Sequence, residues 1–182
     1  IQRMLEWLEQ RGHEEEGCDY YSINISGVSL CKDEFRDYVV ELVGRHAHLA
    51  RRLCFEITES SAIENLANAV NFMSDLRSLG CRFSLDDFGT GFSSLAYLKN
   101  LPADYLKIDG VFITGATSDA VDLGMLESIQ HIANVLSLKT IAEYVEDEDT
   151  ALALRQVGID FLQGHYVGYP EIIELSGALG SR

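Results

Sequence analysis

Basic residues and proline are what this sequence has least of. Fourteen Lys and Arg stand against 29 Asp and Glu, giving a formal charge of −15 at pH 7. Affinity for a nucleic-acid backbone needs clustered cations, so a nucleic-acid polymer is excluded as a partner. Any phosphate-bearing ligand must instead be received locally, by metal ions or a few cations. With only 2 prolines, no low-complexity tract and no Gly/Ser linker, the chain reads as continuous folded structure. No internal repeat of fixed period is evident. Cys18, Cys31, Cys54 and Cys81 show no CxxC or zinc spacing, and the last two fall inside apolar runs. Buried thiols in a reducing compartment are the expectation. The apolar runs are far short of the roughly 20 residues that a membrane span requires, and no signal peptide precedes the first element. A cytoplasmic segment without direct membrane insertion is expected.

What is present is enough apolar residue, 47% of 182, for one well-buried domain. Residues 1–9 place Ile1, Met4, Leu5 and Leu8 on one helical face, and Trp7 reads as packing. A β-branched and aromatic strand at 19–26 ends near Asn24, followed by an amphipathic helix at 33–43 and a loop with His46 and His48. The strand at 51–60 puts Leu53, Phe55 and Ile57 on one face, Cys54 and Glu56 on the other. Glu56 is thus a carboxylate in a buried-looking strand, which demands a cation, a hydrogen-bonding shell or a raised pKa. Ser61 and Glu64 form a capping box for a helix running to about 79, which Gly80 stops. Strands at 81–87, 103–109, 138–143 and 159–164 follow, with helices at 93–98, 121–136 and 147–157 between them, and a last helical segment is placed after Pro170.

Strands alternating with helices imply parallel βαβ units, closed into a barrel or open and doubly wound. The polar residues decide between them. Asn24, Glu56, Asp86 with Asp87, Lys107, Glu143 and Gln163 stand at the C-terminal ends of six different strands. An open sheet builds its site at one switch point, whereas a barrel gathers every strand end around one rim. The expected fold is therefore α/β, a TIM-like (β/α) barrel, with six of the expected eight strands in this chain.

The most informative stretch is 84–109, SLDDFGTGFSSLAYLKNLPADYLKID. Asp86 and Asp87 end an apolar run, and Gly89, Thr90 and Gly91 supply a sharp turn. An Asp pair after a strand commonly serves as a turn or helix cap. The longer string, together with SINIS, FEITES, AEYVE and QGHYVGYP, resembles the EAL family, bacterial phosphodiesterases that hydrolyse cyclic di-GMP. The resemblance spans essentially the whole chain, 1–182, as an EAL-type phosphodiesterase domain that is N-terminally incomplete. It implies that Asn24, Glu56, Asp86, Asp87 and Glu143 hold or support two divalent cations, Mg²⁺ or Mn²⁺. It further implies that Lys107 supports the attacking water, that Glu59 orders the glycine loop, and that Gln163 belongs to the catalytic set. Asp109, Glu146, Gly89, Thr90 and Gly91 are supporting residues. Cyclic di-GMP and a second copy of the chain are the implied partners, with sensory or GGDEF domains attached outside the sequence.

Two departures from the family pattern stand out. Tyr144 replaces the glycine of AEGVE, and the family's naming motif, with the strand before it, is not in the sequence; the start at Ile1 favours an upstream region. The bottom-up chemistry agrees with the resemblance: several carboxylates and an amide are hard oxygen ligands, suited to Mg²⁺ or Mn²⁺ rather than zinc. A metal-dependent hydrolase, a degenerate domain that binds cyclic di-GMP or dimerises without hydrolysis, and a different metal-dependent barrel enzyme such as a lyase all remain open at this point.

Overall fold

A computed structural model describes residues 1–11, 20–89 and 96–172. Eight helices and six strands follow in the order α1 (Gln2–Arg11), β1 (Tyr21–Ile25), α2 (Gly27–Leu30), α3 (Asp33–Arg45), β2 (Leu53–Thr58), α4 (Glu59–Glu64), α5 (Leu66–Ser78), β3 (Arg82–Phe88), β4 (Tyr105–Ile108), α6 (Gly110–Ile113), α7 (Ala120–Leu136), β5 (Lys139–Ala142), α8 (Glu148–Val157) and β6 (Phe161–Leu162). All five strand pairings are parallel, and the sheet order is β1-β2-β3-β4-β5-β6. That order never reverses. A doubly wound sheet must reverse at its switch point, so the connectivity is that of a barrel wall.

The two faces of the wall differ as the alternation in β2 predicts. Leu53, Phe55 and Ile57 join the main core, where Phe55, Phe72 and Phe83 pack ring against ring with centroids 5.6 to 6.1 Å apart. Cys54 points the other way, into a small cluster with Tyr105 and Ile141. Burying a Phe side chain contributes about 1.5–3 kcal/mol, so the helix-covered face holds most of the stability.

Several boundaries differ from the sequence expectation. The helix foreseen from Ser61 starts earlier: Thr58 is the N-cap and accepts from the Ser61 amide, while the helix breaks at Asn65 into α4 and α5. Ser61 fits the S-x-x-E pattern, but Thr58 lies at the point where the strand ends and captures the first free amides. Residues 51 and 52 belong to a 3-10 turn, Ala47–Arg52, so β2 is shorter than expected and His48 is not in an open loop. The expected strand at 159–164 is reduced to two residues. Of the expected helix at 93–98, residues 93–95 lie outside the described residues, and a 3-10 turn covers Leu98–Asn100. The helix placed after Pro170 also falls mostly outside them, at 173–182. Trp7 is packing, as expected, edge-on to Tyr21.

Candidate functional site

The strand register brings the predicted residues to one rim. Asn24 pairs with Glu56 across β1 and β2, and Thr58 pairs with Asp86 across β2 and β3. Adjacent strand residues normally point to opposite faces, so Asp86 and Asp87 should not both face a site. The register shifts between Leu85 and Phe88, and Asp87 adopts φ 56. This irregularity turns the second carboxylate back toward the rim. Asp86, Asp87 and Glu143 then offer ligand oxygens that all lie within 4.8 Å of one another.

Lys107 stands among these carboxylates. It is 3% exposed, and its Nζ lies 3.0 Å from Glu56 Oε2, 2.9 Å from Asp86 Oδ1 and 2.8 Å from Glu143 Oε1. An ammonium has three N–H donors, and here each has a carboxylate to meet. Burial alone would lower the lysine pKa, but the hydrogen bonds it donates to Glu143 and Asp86 and the charge of Glu56 carry it above its ordinary value. Glu143 moves up because burial penalises its charged form, with Asp86 and Glu56 adding to the rise against the pull of Lys107. Asp87 is raised too, first by burial and then by Asp86 and Asp109. Four carboxylates around one ammonium leave three negative charges in excess. Oxygen-only donors with that surplus fit a hard divalent cation.

Glu59 is buried and turned to a different task. Its Oε2 accepts from the Gly89 amide at 3.0 Å, and its Oε1 takes a short hydrogen bond from the Tyr97 hydroxyl. One carboxylate thereby ties the turn after the aspartates to the segment that re-enters at Tyr97. Thr90 and Gly91 lie outside the described residues. Asp109 caps α6, accepting from Val111 N at 2.8 Å, and acts on the cluster through its charge on Asp87.

Gln163 follows β6 with its backbone locked to the neighbouring strand. Gln163 N donates to Ala142 O at 2.8 Å and Gln163 O accepts from Val145 N at 3.0 Å. Gly164 makes this possible, since a Cβ there would meet Val145 O at 2.2 Å. The Gln163 side chain is exposed, as is that of Glu146, and both line a cavity of about 740 Å³ beside Glu143. Asn24 is exposed at the edge strand. So Glu56, Asp86, Asp87, Lys107 and Glu143 form one cluster, while Asn24, Gln163 and Glu146 border it.

Three features were missed from sequence. Tyr97 is the partner of Glu59 across 38 residues, Tyr144 adopts φ 54, and His165 lines the cavity with its ring stacked on Tyr169 at 4.8 Å. Two of them left a signal, since Tyr144 stands where the family motif has glycine and His165 lies two residues beyond Gln163.

A sequential parallel β/α wall carries, at its strand C-termini, an acidic, lysine-centred rim whose carboxylates could hold a metal ion. The EAL domain family model matches residues 1–170, and the chain belongs to that family. It is 41% identical over 151 residues to cyclic di-GMP phosphodiesterase PdeF of Escherichia coli, covering 83% of this chain and 20% of that protein. It is 39% identical over 150 residues to cyclic di-GMP phosphodiesterase PdeB of Shewanella oneidensis, covering 82% and 18%. The chain thus spans about a fifth of the length of these curated relatives. Among solved structures, the PaMucR phosphodiesterase in complex with c-di-GMP superposes with a TM-score of 0.80 at 35% identity, over 93% of this chain and 67% of that one. The Vibrio cholerae LapD S helix-GGDEF-EAL structure, bound to c-di-GMP, gives 0.83 at 29% identity, over 92% and 40%. The fold is accordingly the α/β, TIM-like architecture of EAL domains.

Proposed function

We propose that this domain hydrolyses cyclic di-GMP to the linear dinucleotide with Mg²⁺ or Mn²⁺. The observation that carries the reading is the rim cluster: Lys107 within 3.0 Å of three carboxylates, with Asp87 beside them, at the C-terminal ends of β2 to β5. Relatives named as cyclic di-GMP phosphodiesterases support the substrate. Asn24, Glu56, Asp86, Asp87 and Glu143 are the residues that would hold the metal. When bound, two such ions activate water and offset charge on the attacking and leaving oxygens of an in-line displacement. Lys107 keeps the carboxylates apart and oriented, since all three of its N–H groups already point at them. Glu59 fixes the turn that presents Asp86 and Asp87. The excess negative charge on the rim would otherwise repel a dinucleotide, so substrate and metal should bind together.

The reading extends to a cytoplasmic setting, to a homodimer formed near the glycine turn, and to sensory or GGDEF modules in the same protein. The second reading is binding without hydrolysis; the LapD structure, bound to c-di-GMP, supports the binding that both readings share. The test is turnover of cyclic di-GMP by the complete protein with Mg²⁺, Mn²⁺, Ca²⁺ or EDTA. Hydrolysis with the first two, little with Ca²⁺ because of its looser coordination, and none with EDTA is the expected result. Tight binding with no turnover under any metal would leave the receptor reading in its place.

A further inference from the structure

We propose that Tyr144 is a stacking platform for a guanine base of the substrate, an inference that rests on the cyclic di-GMP reading above. Tyr144 has φ 54, in the left-handed region that side-chain-bearing residues rarely occupy and glycine enters freely. A strained residue persists when its surroundings hold it, and strain of this kind gathers at ligand sites. Packing does not explain this one, because the Tyr144 side chain is 63% exposed.

The start of α6 lies against its ring. A Cβ built on Gly110 would lie 2.5 Å from Tyr144 Cδ2, 2.9 Å from Cγ and 3.1 Å from Cβ. The ring therefore leans from the end of β5 across to the start of α6, against a residue that has no side chain to push it away. The rest of the ring faces outward along the cavity of about 740 Å³ that Glu143 and Gln163 also line. Glu143, its immediate chain neighbour, is bound to Lys107 in the cluster. A flat apolar surface is thus fixed beside the group expected to hold metal and phosphate. A nucleotide whose phosphate lies at the cluster carries its base within reach of that surface, and base–aromatic stacking needs only a π-face.

The test uses the complete protein with Mg²⁺ for turnover and with Ca²⁺ for binding of cyclic di-GMP. Tyr144→Phe should leave KM, kcat and Kd within about twofold, since stacking does not use the hydroxyl. Tyr144→Gly should raise KM and Kd about tenfold with kcat little changed. It should leave the melting temperature unchanged or higher, because glycine is relaxed at this φ. Gly110→Ala should displace the ring, weakening binding in the parent protein but adding nothing to Tyr144→Gly, a non-additivity that a general structural effect would not produce. A Kd for Tyr144→Gly within twofold of the parent overturns the proposal, as does a fall in kcat at unchanged KM, which would mean that Tyr144 shapes the metal site instead. Binding without turnover by the parent removes hydrolysis alone and leaves the Kd comparison intact. No binding by the parent overturns both readings.

Discussion

At the N-terminal ends of the strands, carboxylates are met by backbone. Asp104, just before β4, accepts from Phe83 N of β3 at 2.9 Å and pairs with Arg77; Asp160, just before β6, accepts from Thr140 N of β5 at 2.9 Å and pairs with Lys139. Each aspartate thus closes the seam to the preceding strand. At the C-terminal ends, Glu56, Asp86 and Glu143 share one ammonium. The pKa directions separate the two ends. Burial acts upward on Asp160, but Lys139 and the Thr140 hydrogen bonds take it below its ordinary range, while Glu143 at the other rim is raised. Carboxylates at the first end stabilise the fold; those at the second are held together at a cost that a divalent cation would relieve.

The contrast is most exposed to Lys107→Met. Without the ammonium, at least three buried or half-buried carboxylates lose their partner, and the metal-free protein should lose about 3–5 kcal/mol. Divalent metal should restore much of that, so the rise in melting temperature on adding Mg²⁺ should exceed the parent's. Chemical and thermal melts in EDTA and in Mg²⁺ measure both. An equal Mg²⁺ response in the two proteins would mean that the rim is not a metal site.

Asp160→Asn comes next, at about 1–3 kcal/mol, because the amide loses the charge that receives Thr140 N, Thr140 Oγ1 and Lys139. Its Mg²⁺ response should match the parent's. The sign with pH follows from the lowered pKa: the Asp160 contribution is present above the ordinary value of 3.8 and lost as pH falls through the folded value. The deficit of Asp160→Asn relative to the parent should therefore shrink at the acid end of a pH series of melts.

Glu143→Gln should act in the opposite direction and more weakly. Removing one charge from the crowded rim should stabilise the metal-free protein by on the order of 1 kcal/mol at neutral pH. Because the folded pKa is raised, the cost of ionising Glu143 is present at neutral pH and disappears as pH falls toward the ordinary value of 4.5. The gain should fade over that window, while Mg²⁺ affinity, read by titration calorimetry, should drop at neutral pH. A destabilised variant would show that Glu143 is held by Lys107 more strongly than its neighbours repel it.

The N-terminal end of the sheet was the less legible of the two. Strand ends bearing Glu56, Lys107 and Glu143 stood out because charge interrupts a buried alternation, and that pattern also implied the barrel. Asp104 and Asp160 fell at the starts of the expected strands at 103–109 and 159–164, where an aspartate looks like an ordinary boundary residue, so nothing in the sequence distinguished them. The joint role of Asp86 and Asp87 was legible as a motif, while its cause, a register shift with a left-handed aspartate, was not. Tyr144 at φ 54 was marked only by the family motif, which has glycine there, because a tyrosine by itself gives no sign of the left-handed conformation. The Glu59–Tyr97 bond joins residues from two βα units, and separation of that order leaves no local trace.

The smallest expected effect concerns thiols, which belong to neither rim. Cys54 and Cys81 are buried, and burial pushes both pKa values up to about 12, with Glu56 and Asp104 adding to the rise at Cys54. The thiolate is the reactive form, so both should resist alkylation at pH 8 in the folded protein, while exposed Cys31 should be modified. Cys54 lies on the inner face of the wall, in contact with Tyr105 and Ile141, one residue from Glu56. Opening of the sheet would expose it, whereas metal removal that merely leaves Lys107 to hold the carboxylates would not. Mass spectrometry after alkylation with and without EDTA distinguishes these outcomes. Protection of Cys54 in both conditions is the expected result; labelling of Cys54 in EDTA alone would mean that the lysine-centred rim does not hold the strands together without a divalent cation.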